Sequence, residues 1–348
     1  MEDKYHPAET RGGNTENSSE VFRFLFRLVG ACVVFVFDLN DKNTMNDLSM
    51  IQISSTVLMK PVSYSVPKSL PELYNFIITF NGNQQPIIHD YPVSVPLVAV
   101  VLYWMMVFIG PRMMKNRKPF QLRVALMLWN FFLWVLSVGM FLGIAIPVFN
   151  FLLNKGWYQV MCMPRGNLYY GVAFFSSWLF ALSKYLELID TLFIILRKRP
   201  LNFLHWYHHT TVLVYTWFCL VIMAPPGALF GAVNAFVHSI MYYYYFLTST
   251  GRRPSWGKLV TIIQLTQMVV GISISIIWTI YYVTEEDCPM PHPHAYMLSS
   301  LALYASYFIL FLNFYIQRYV RKSNIQKSNN NAATKTKQPS SPKRRKRA

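Results

Sequence analysis

Charge is the first thing this chain is short of. Of 348 residues, 14% are Asp, Glu, Lys or Arg and 53% are hydrophobic, whereas a soluble domain carries about 25% charged residues. That shortage, with several long apolar runs, excludes an ordinary soluble fold and indicates a polytopic membrane protein. Acid is scarcer still: 15 Asp or Glu stand against 32 Lys or Arg, for a net charge of +17. Nucleic acid is not the partner this implies. Eleven of the basic residues crowd into Arg318–Arg347 and most of the rest sit in short segments between apolar runs, a pattern of cytosolic loops and not of a binding face. Four cysteines are too few for a disulfide scaffold. The first twenty residues lack a basic n-region, so no cleavable signal peptide is expected. No polar linker divides the middle of the chain, which reads as one membrane domain over 93–320, a lumenal extension over 1–92 and a disordered basic tail over 321–348.

What is present is apolar length. Seven runs of membrane-spanning size lie near 93–110, 123–146, 169–196, 203–223, 228–248, 259–283 and 297–319. The expected fold is therefore all-α, with seven transmembrane helices. The loops Pro111–Arg123, Arg197–Arg199 and Arg252–Lys258 and the tail are basic and alternate with acidic or neutral ones such as "TEEDC" at 284–288. The positive-inside rule then puts the carboxyl end in the cytosol and the amino end in the lumen. Two features follow. Cys162 and Cys288 fall on the same oxidising side, where a disulfide can form. Asn17, in Asn17-Ser18-Ser19, is a glycosylation acceptor if Val21–Phe37 does not span. Arg23 and Arg27 in that segment favour an interfacial helix. Residues 38–92 read as irregular, and the terminal "RRKRA" resembles a retrieval signal of endoplasmic reticulum membrane proteins.

Within these runs lie polar residues that hydrocarbon does not tolerate without a reason. "LHWYHH" places His205, His208 and His209 at i, i+3 and i+4, on one helical face and toward one pocket. "SKYLELIDT" steps Lys184, Glu187 and Asp190 by three, and Lys184 can pair with Glu187. "NAFVHSIMYYYYF" spaces Asn234, His238 and Tyr242 by four, with Tyr245 returning to their face; Gln264 and Gln267 recur in "TIIQLTQM". Interhelical hydrogen bonding accounts for a pair of glutamines. It does not account for four imidazoles, two acids and a lysine in a medium where each needs a partner.

Two chemistries suit such a set. A histidine-ligated membrane metal oxidoreductase is one: four imidazoles with Glu187 or Asp190 could hold a zinc ion. Eight histidines in all, with His6, His89, His292 and His294 placed elsewhere, are too few for a di-iron centre built from three histidine boxes. Nucleophilic catalysis is the other: a neutral imidazole attacks a thioester and becomes a reactive acyl-imidazole. Cys219 is not a rival nucleophile, being eleven residues from His208, about 16 Å along a helix. A transporter or lipid channel is a third reading, but no internal repeat or broken helix supports it.

"KYLELIDT", "LHWYHH", "NAFVHSIMYYYY" and "TIIQLTQ", in this order and spacing, resemble the ELO family of very-long-chain fatty-acid elongases, the 3-oxoacyl-CoA synthases of the endoplasmic reticulum; "RKPFQL" at 117–122 is similar to that family's first cytosolic loop. "FLHWYHH" looks most like the branch acting on saturated and monounsaturated chains. The resemblance implies decarboxylative condensation of malonyl-CoA with a long-chain acyl-CoA, without cofactor or metal, in a tunnel between the helices. It implies His208 as acyl acceptor, His205 and His209 as orienting and proton-handling groups, and His238 facing the new bond with Asn234 positioning it. Tyr242 or Tyr245 would stabilise the enolate, and Lys184, Glu187 and Asp190 would shape the site and bind polar parts of CoA. Beyond the two substrates, the implied partners are membrane lipid, the three other elongation-cycle enzymes and a second copy of the chain.

Overall fold

The computed structural model describes residues 69–81, 93–162, 167–285, 288, 290 and 292–321. Asn17, Val21–Phe37, His6, His89 and the tail beyond Arg321 lie outside these. The architecture is all-α: α1 Leu70–Ile78, α2 Ser94–Met114, α3 Arg123–Cys162, α4 Gly171–Leu186, α5 Leu188–Leu196, α6 Phe203–Val221, α7 Gly227–Ser249, α8 Gly257–Thr284 and α9 Pro293–Tyr315, continued by a π-helical turn to Arg321.

The expected spans fall on α2 to α9, with three differences. Helix α1 occupies part of the segment expected to be irregular. It starts where Ser69 accepts from Glu72 N and where proline stands in the first turn, both starting signals. The second run continues to Cys162, with non-helical Gly156 (φ +80°) breaking it near its end. The third is two helices. The chain turns at Glu187, where Asp190 N reaches back to the Glu187 carbonyl at 3.1 Å, a bond tighter than the α-helical one. Among the described residues, four helices are long and apolar enough to cross a membrane: α2, α3, α8 and α9 through Arg321. Helices α6 and α7 carry the histidines, Asn234 and the tyrosine run, which lower their hydropathy.

The basic loops gather at one end of the bundle. Lys198 Nζ donates to the carbonyls of Lys115 (3.0 Å) and Arg117 (3.2 Å), and Arg123 donates to those of Ser249 (3.2 Å) and Thr250 (2.6 Å). Away from them, Cys162 and Cys288 are joined by a disulfide that closes 126 residues of chain. The most extensive helix pairing is α3 against α7. Helix α6 is the pivot of the interior, from Tyr207 through His209, Leu213 and Trp217 to Leu220. It is pinned on two sides: Trp104 Nε1 of α2 donates to Thr210 Oγ1 (3.1 Å), and Tyr207 O–H donates to Ser306 Oγ of α9 (3.0 Å).

Candidate active site

Asn202 caps α6 by accepting from Leu204 N (3.3 Å), so the helix begins just after the basic Arg197–Arg199 turn. His205 and His208 therefore fall within its first two turns, about 8 Å or less from that end. The three imidazoles are neighbours: His205 and His209 have centroids 4.4 Å apart, His208 and His209 5.4 Å. They do not all face one pocket as expected. Each residue turns a helix by about 100°, and the rings diverge accordingly. His208 lines a cavity with Asn234, Gln267 and Tyr307. Its ring lies 5.0 Å from that of Tyr307, whose hydroxyl donates to the His208 carbonyl (3.3 Å). His205 turns the other way, and its Nε2 shares a 2.8 Å hydrogen bond with the Thr191 hydroxyl. Thr191 in turn shares one with the Tyr103 hydroxyl (3.0 Å). His209 lies between the two, with its Nδ1 buried and without a hydrogen-bond partner.

The break at Glu187 brings the charged residues of α4 and α5 inward. Lys184 Nζ donates to Glu187 Oε1 (2.7 Å) and to Asn234 Oδ1 (2.9 Å), and sits 4.3 Å from the centre of the Phe180 ring. Lys184 and Glu187 are 1% and 2% exposed. His238 Nδ1 is 3.5 Å from Glu187 Oε1 without a well-formed hydrogen bond, a separation at which the carboxylate acts on the ring mainly through its charge. Asp190 accepts from Trp129 Nε1 (2.7 Å) on one oxygen and from the Tyr242 hydroxyl (2.8 Å) on the other.

Four expectations change. Asn234 does not position His238; its oxygen faces Lys184, because an ammonium only donates. The Tyr242 hydroxyl is committed to Asp190 and is not a free oxyanion donor. Tyr245 is 41% exposed, since three further residues carry it past the buried face that holds Tyr242. Lys184, Glu187 and Asp190 are spent on one another and their neighbours, so they shape the site and do not reach out to a polar ligand. The two glutamines also separate: Gln267 lines the cavity, while Gln264 Nε2 contacts Met241 Sδ at 3.3 Å. Among the described residues no three of His, Cys, Asp and Glu come together as a metal-binding group.

Sequence reading passed over Tyr103, Trp129, Thr191 and Tyr307. Thr191 ends the "KYLELIDT" motif and was visible there. The other three lie in apolar runs where an aromatic residue carries no signal of its own.

From His208 the cavity follows α6 away from the basic loops, past Val212, Tyr215 and Cys219 to Met223 and Pro225. Thirteen residues of helix separate His208 from Val221, about 20 Å, and Met223 lies just past that end. Beyond the polar residues at its head, the walls are mainly apolar and aromatic.

Fold and site together define a polytopic membrane protein with an imidazole cluster at the head of an apolar cavity. The model of the GNS1/SUR4 (ELO) family matches residues 89–327, and the chain belongs to that family. Human very long chain fatty acid elongase 3 is 39% identical over 267 residues, 75% of this chain and 94% of that protein. A Trypanosoma cruzi very long chain fatty acid elongase 4 is 34% identical over 250 residues, covering 70% and 86%. Very long chain fatty acid elongase 6 of Drosophila melanogaster is 37% identical over 222 residues, covering 63% and 70%. The chain is thus a fatty-acid elongase, an acyl-transferring condensing enzyme.

Proposed function

We propose that the chain condenses malonyl-CoA with a long-chain acyl-CoA by way of an acyl-imidazole on His208. The observation that carries this is the position of His208: it is the imidazole at the head of an apolar cavity that runs about 20 Å from it along α6. A thioester arriving at the basic end would present its carbonyl to His208 with its alkyl chain in the cavity. A ring nitrogen attacks that carbonyl, the C–S bond breaks, and the CoA thiolate leaves with a proton. Malonyl-CoA then loses carbon dioxide. Its enolate carbon attacks the acyl-imidazole, the C–N bond breaks as the His208 nitrogen takes up a proton from solvent, and 3-oxoacyl-CoA departs.

The surrounding residues have distinct work in this reading. With Oδ1 held by Lys184, Asn234 has its NH₂ left to donate toward the cavity, and it and Gln267 are the amides available to a developing oxyanion. His238, from α7, is the further imidazole assigned to the condensation step, with Glu187 supplying negative charge beside its ring. His205, held by Thr191, and His209 keep the cluster in register and pass protons. The basic loops attract the phosphates of CoA. The same reading puts the chain in the endoplasmic reticulum, with seven crossings, the basic loops and carboxyl end cytosolic and the Cys162–Cys288 bridge lumenal. The domain runs over 93–320, and a second copy and the other elongation-cycle enzymes are its partners.

The test is condensation by the purified full chain, with acyl-CoAs of graded length, radiolabelled malonyl-CoA, no reductant and a chelator. The expected result is a labelled 3-oxoacyl product that resists chelation and falls at least about 10³-fold in His208→Ala, as when a covalent nucleophile is removed. Undiminished product from His208→Ala would sink the acyl-imidazole. Product that disappears with chelator would return the histidines to the role of metal ligands.

A further inference from the structure

The segment Ser69–Asn81 stands before the part of the chain that matches the family. Its helix is unusual for a packed element in burying none of its own residues: Leu70 is 82% exposed and Tyr74 65%. Yet Phe80, two residues past the helix, is 2% exposed. Its ring stacks on Phe174 (centroids 6.0 Å) and meets Phe175 (5.2 Å) and Trp178 (5.4 Å); Phe76 closes the group against Phe80 (5.5 Å) and Phe175 (6.1 Å). Phe174 is a wall residue of the cavity, and so is Tyr169, 5.9 Å from it. Leu220, also in the wall, belongs to the same buried cluster.

Backbone ties hold Phe80 there. Gly171 N donates to the Phe80 carbonyl (2.9 Å), Asn81 pairs with Tyr170 in an isolated antiparallel bridge, and the Asn81 amide donates to the Tyr170 hydroxyl (3.0 Å). Gly171 has φ +59°, and a Cβ there would stand 3.0 Å from the Ile78 carbonyl oxygen. Glycine is what allows both the turn and the approach.

We infer that residues 69–81 form the outer wall of the cavity's far end, and that Phe80, by backing Phe174, limits the length of acyl chain the enzyme accepts. Phe80 is a positioning residue: it touches the wall and not the chain. The wall in contact with the alkyl end is only as firm as the layer behind it, because a close-packed interior transmits a lost contact to its neighbours. This rests on the reading of the cavity as the acyl site.

The test uses the full chain and saturated acyl-CoAs in two-carbon steps, comparing Phe80→Ala, Phe80→Leu, Phe174→Ala and Leu70→Ala. Discrimination against one extra methylene in an apolar pocket is worth about 10–200-fold, so Phe80→Ala is expected to lose about tenfold or more of the enzyme's discrimination against the first rejected chain length. Its rate on the shortest accepted chain should hold, a split that simple destabilisation would not give. Phe174→Ala should move the ceiling further, and Leu70→Ala should not move it. Phe80→Leu, a smaller loss of volume, carries the test if Phe80→Ala does not fold. A shift with Phe174→Ala and none with either Phe80 variant overturns the inference and leaves the acyl cavity standing. A uniform loss of rate at every length, with the ceiling unmoved, also overturns it. No shift from any variant, Phe174→Ala included, overturns the acyl cavity as well.

Discussion

At the head of the cavity the polar side chains form a bonded set: Lys184 to Glu187 and Asn234, Asp190 to Trp129 and Tyr242, Thr191 to Tyr103 and His205. At the far end the walls are rings and alkyl groups, with Phe174 stacked on Phe80 and backbone bonds tying Asn81 and Gly171 together. Directional bonds in a low-dielectric interior fix positions but tolerate little change, because a half-satisfied network is worse than none. Ring packing fixes a volume and tolerates exchange of shape. One end is therefore built to hold a reaction geometry, the other to measure a length. Substitutions at the head should cost stability and rate together, and those at the far end should redistribute products.

The largest effect on this contrast is expected at the buried ion pair. Removing one partner of such a pair leaves an uncompensated charge and costs about 3–5 kcal/mol. Lys184→Met and Glu187→Gln should each unfold at markedly lower temperature and lose condensation. The double variant Lys184→Met/Glu187→Gln should recover much of the stability, because neither charge remains, but not the activity, because Asn234 has lost its anchor and His238 its neighbouring carboxylate. Thermal unfolding in detergent alongside the condensation assay separates the two readouts. Recovery of full activity in the double variant would mean the polar head is structural only.

The disulfide comes next and offers the opposite contrast. A disulfide typically contributes about 2–4 kcal/mol. Cys162→Ser and Cys288→Ser should lower the unfolding temperature by the same amount as each other and as the double variant. The protein that remains folded should retain its rate and its chain-length profile, since neither cysteine lines the cavity. A changed profile in the serine variants would show that the bridge, and not the aromatic wall alone, sets the far end.

How much of this was legible beforehand divides along the same line. The head was announced by residues out of place: His205, His208, His209, His238, Lys184, Glu187 and Asp190 are costly in hydrocarbon, and helical spacing groups them. Spacing did not reveal direction. It brought His205 and His208 to one face, whereas about 60° of helical rotation between them sends one ring to Thr191 and the other to the cavity. Nor did it reveal partners: that Asn234 answers to Lys184 and Tyr242 to Asp190 depends on how α4, α5 and α7 pack. The far end was silent, because Phe80, Phe174 and Trp178 are aromatic residues in an aromatic-rich chain. Hydropathy gave the runs but not the turn at Glu187, where acids and a lysine sit inside what reads as one span. The two cysteines were paired by topology, which required only that both loops lie on one side.

A smaller effect is expected where the head network is extended by a neutral hydroxyl. Thr191 is fully buried between Tyr103 and His205. Thr191→Val keeps the shape and removes the bond, leaving a buried partner unsatisfied at about 1–3 kcal/mol. Condensation should fall by roughly 10–100-fold through the turnover rate, with the Michaelis constant for acyl-CoA unchanged, as for an interaction that matters chiefly in the transition state. Thr191→Ser should restore it. Equal losses in the valine and serine variants would mean that packing of the methyl group, and not the hydrogen bond to His205, is what the site needs.

The smallest effect, that of Tyr245→Phe, sharpens the comparison most, because it is read against a neighbour in the same tyrosine run. Tyr242 is 1% exposed and donates to Asp190, and Tyr245 is 41% exposed. Tyr242→Phe removes one of two bonds to a buried carboxylate, each worth about 1.5–3 kcal/mol when charged, and should lower both stability and rate. Tyr245→Phe removes a hydroxyl from a partly exposed ring and should lie within about 0.5 kcal/mol of the parent protein. Both variants keep the ring, so a difference between them reports the hydroxyl alone. If Tyr245→Phe abolished condensation while Tyr242→Phe preserved it, Tyr245 and not Tyr242 would be the residue that meets the enolate.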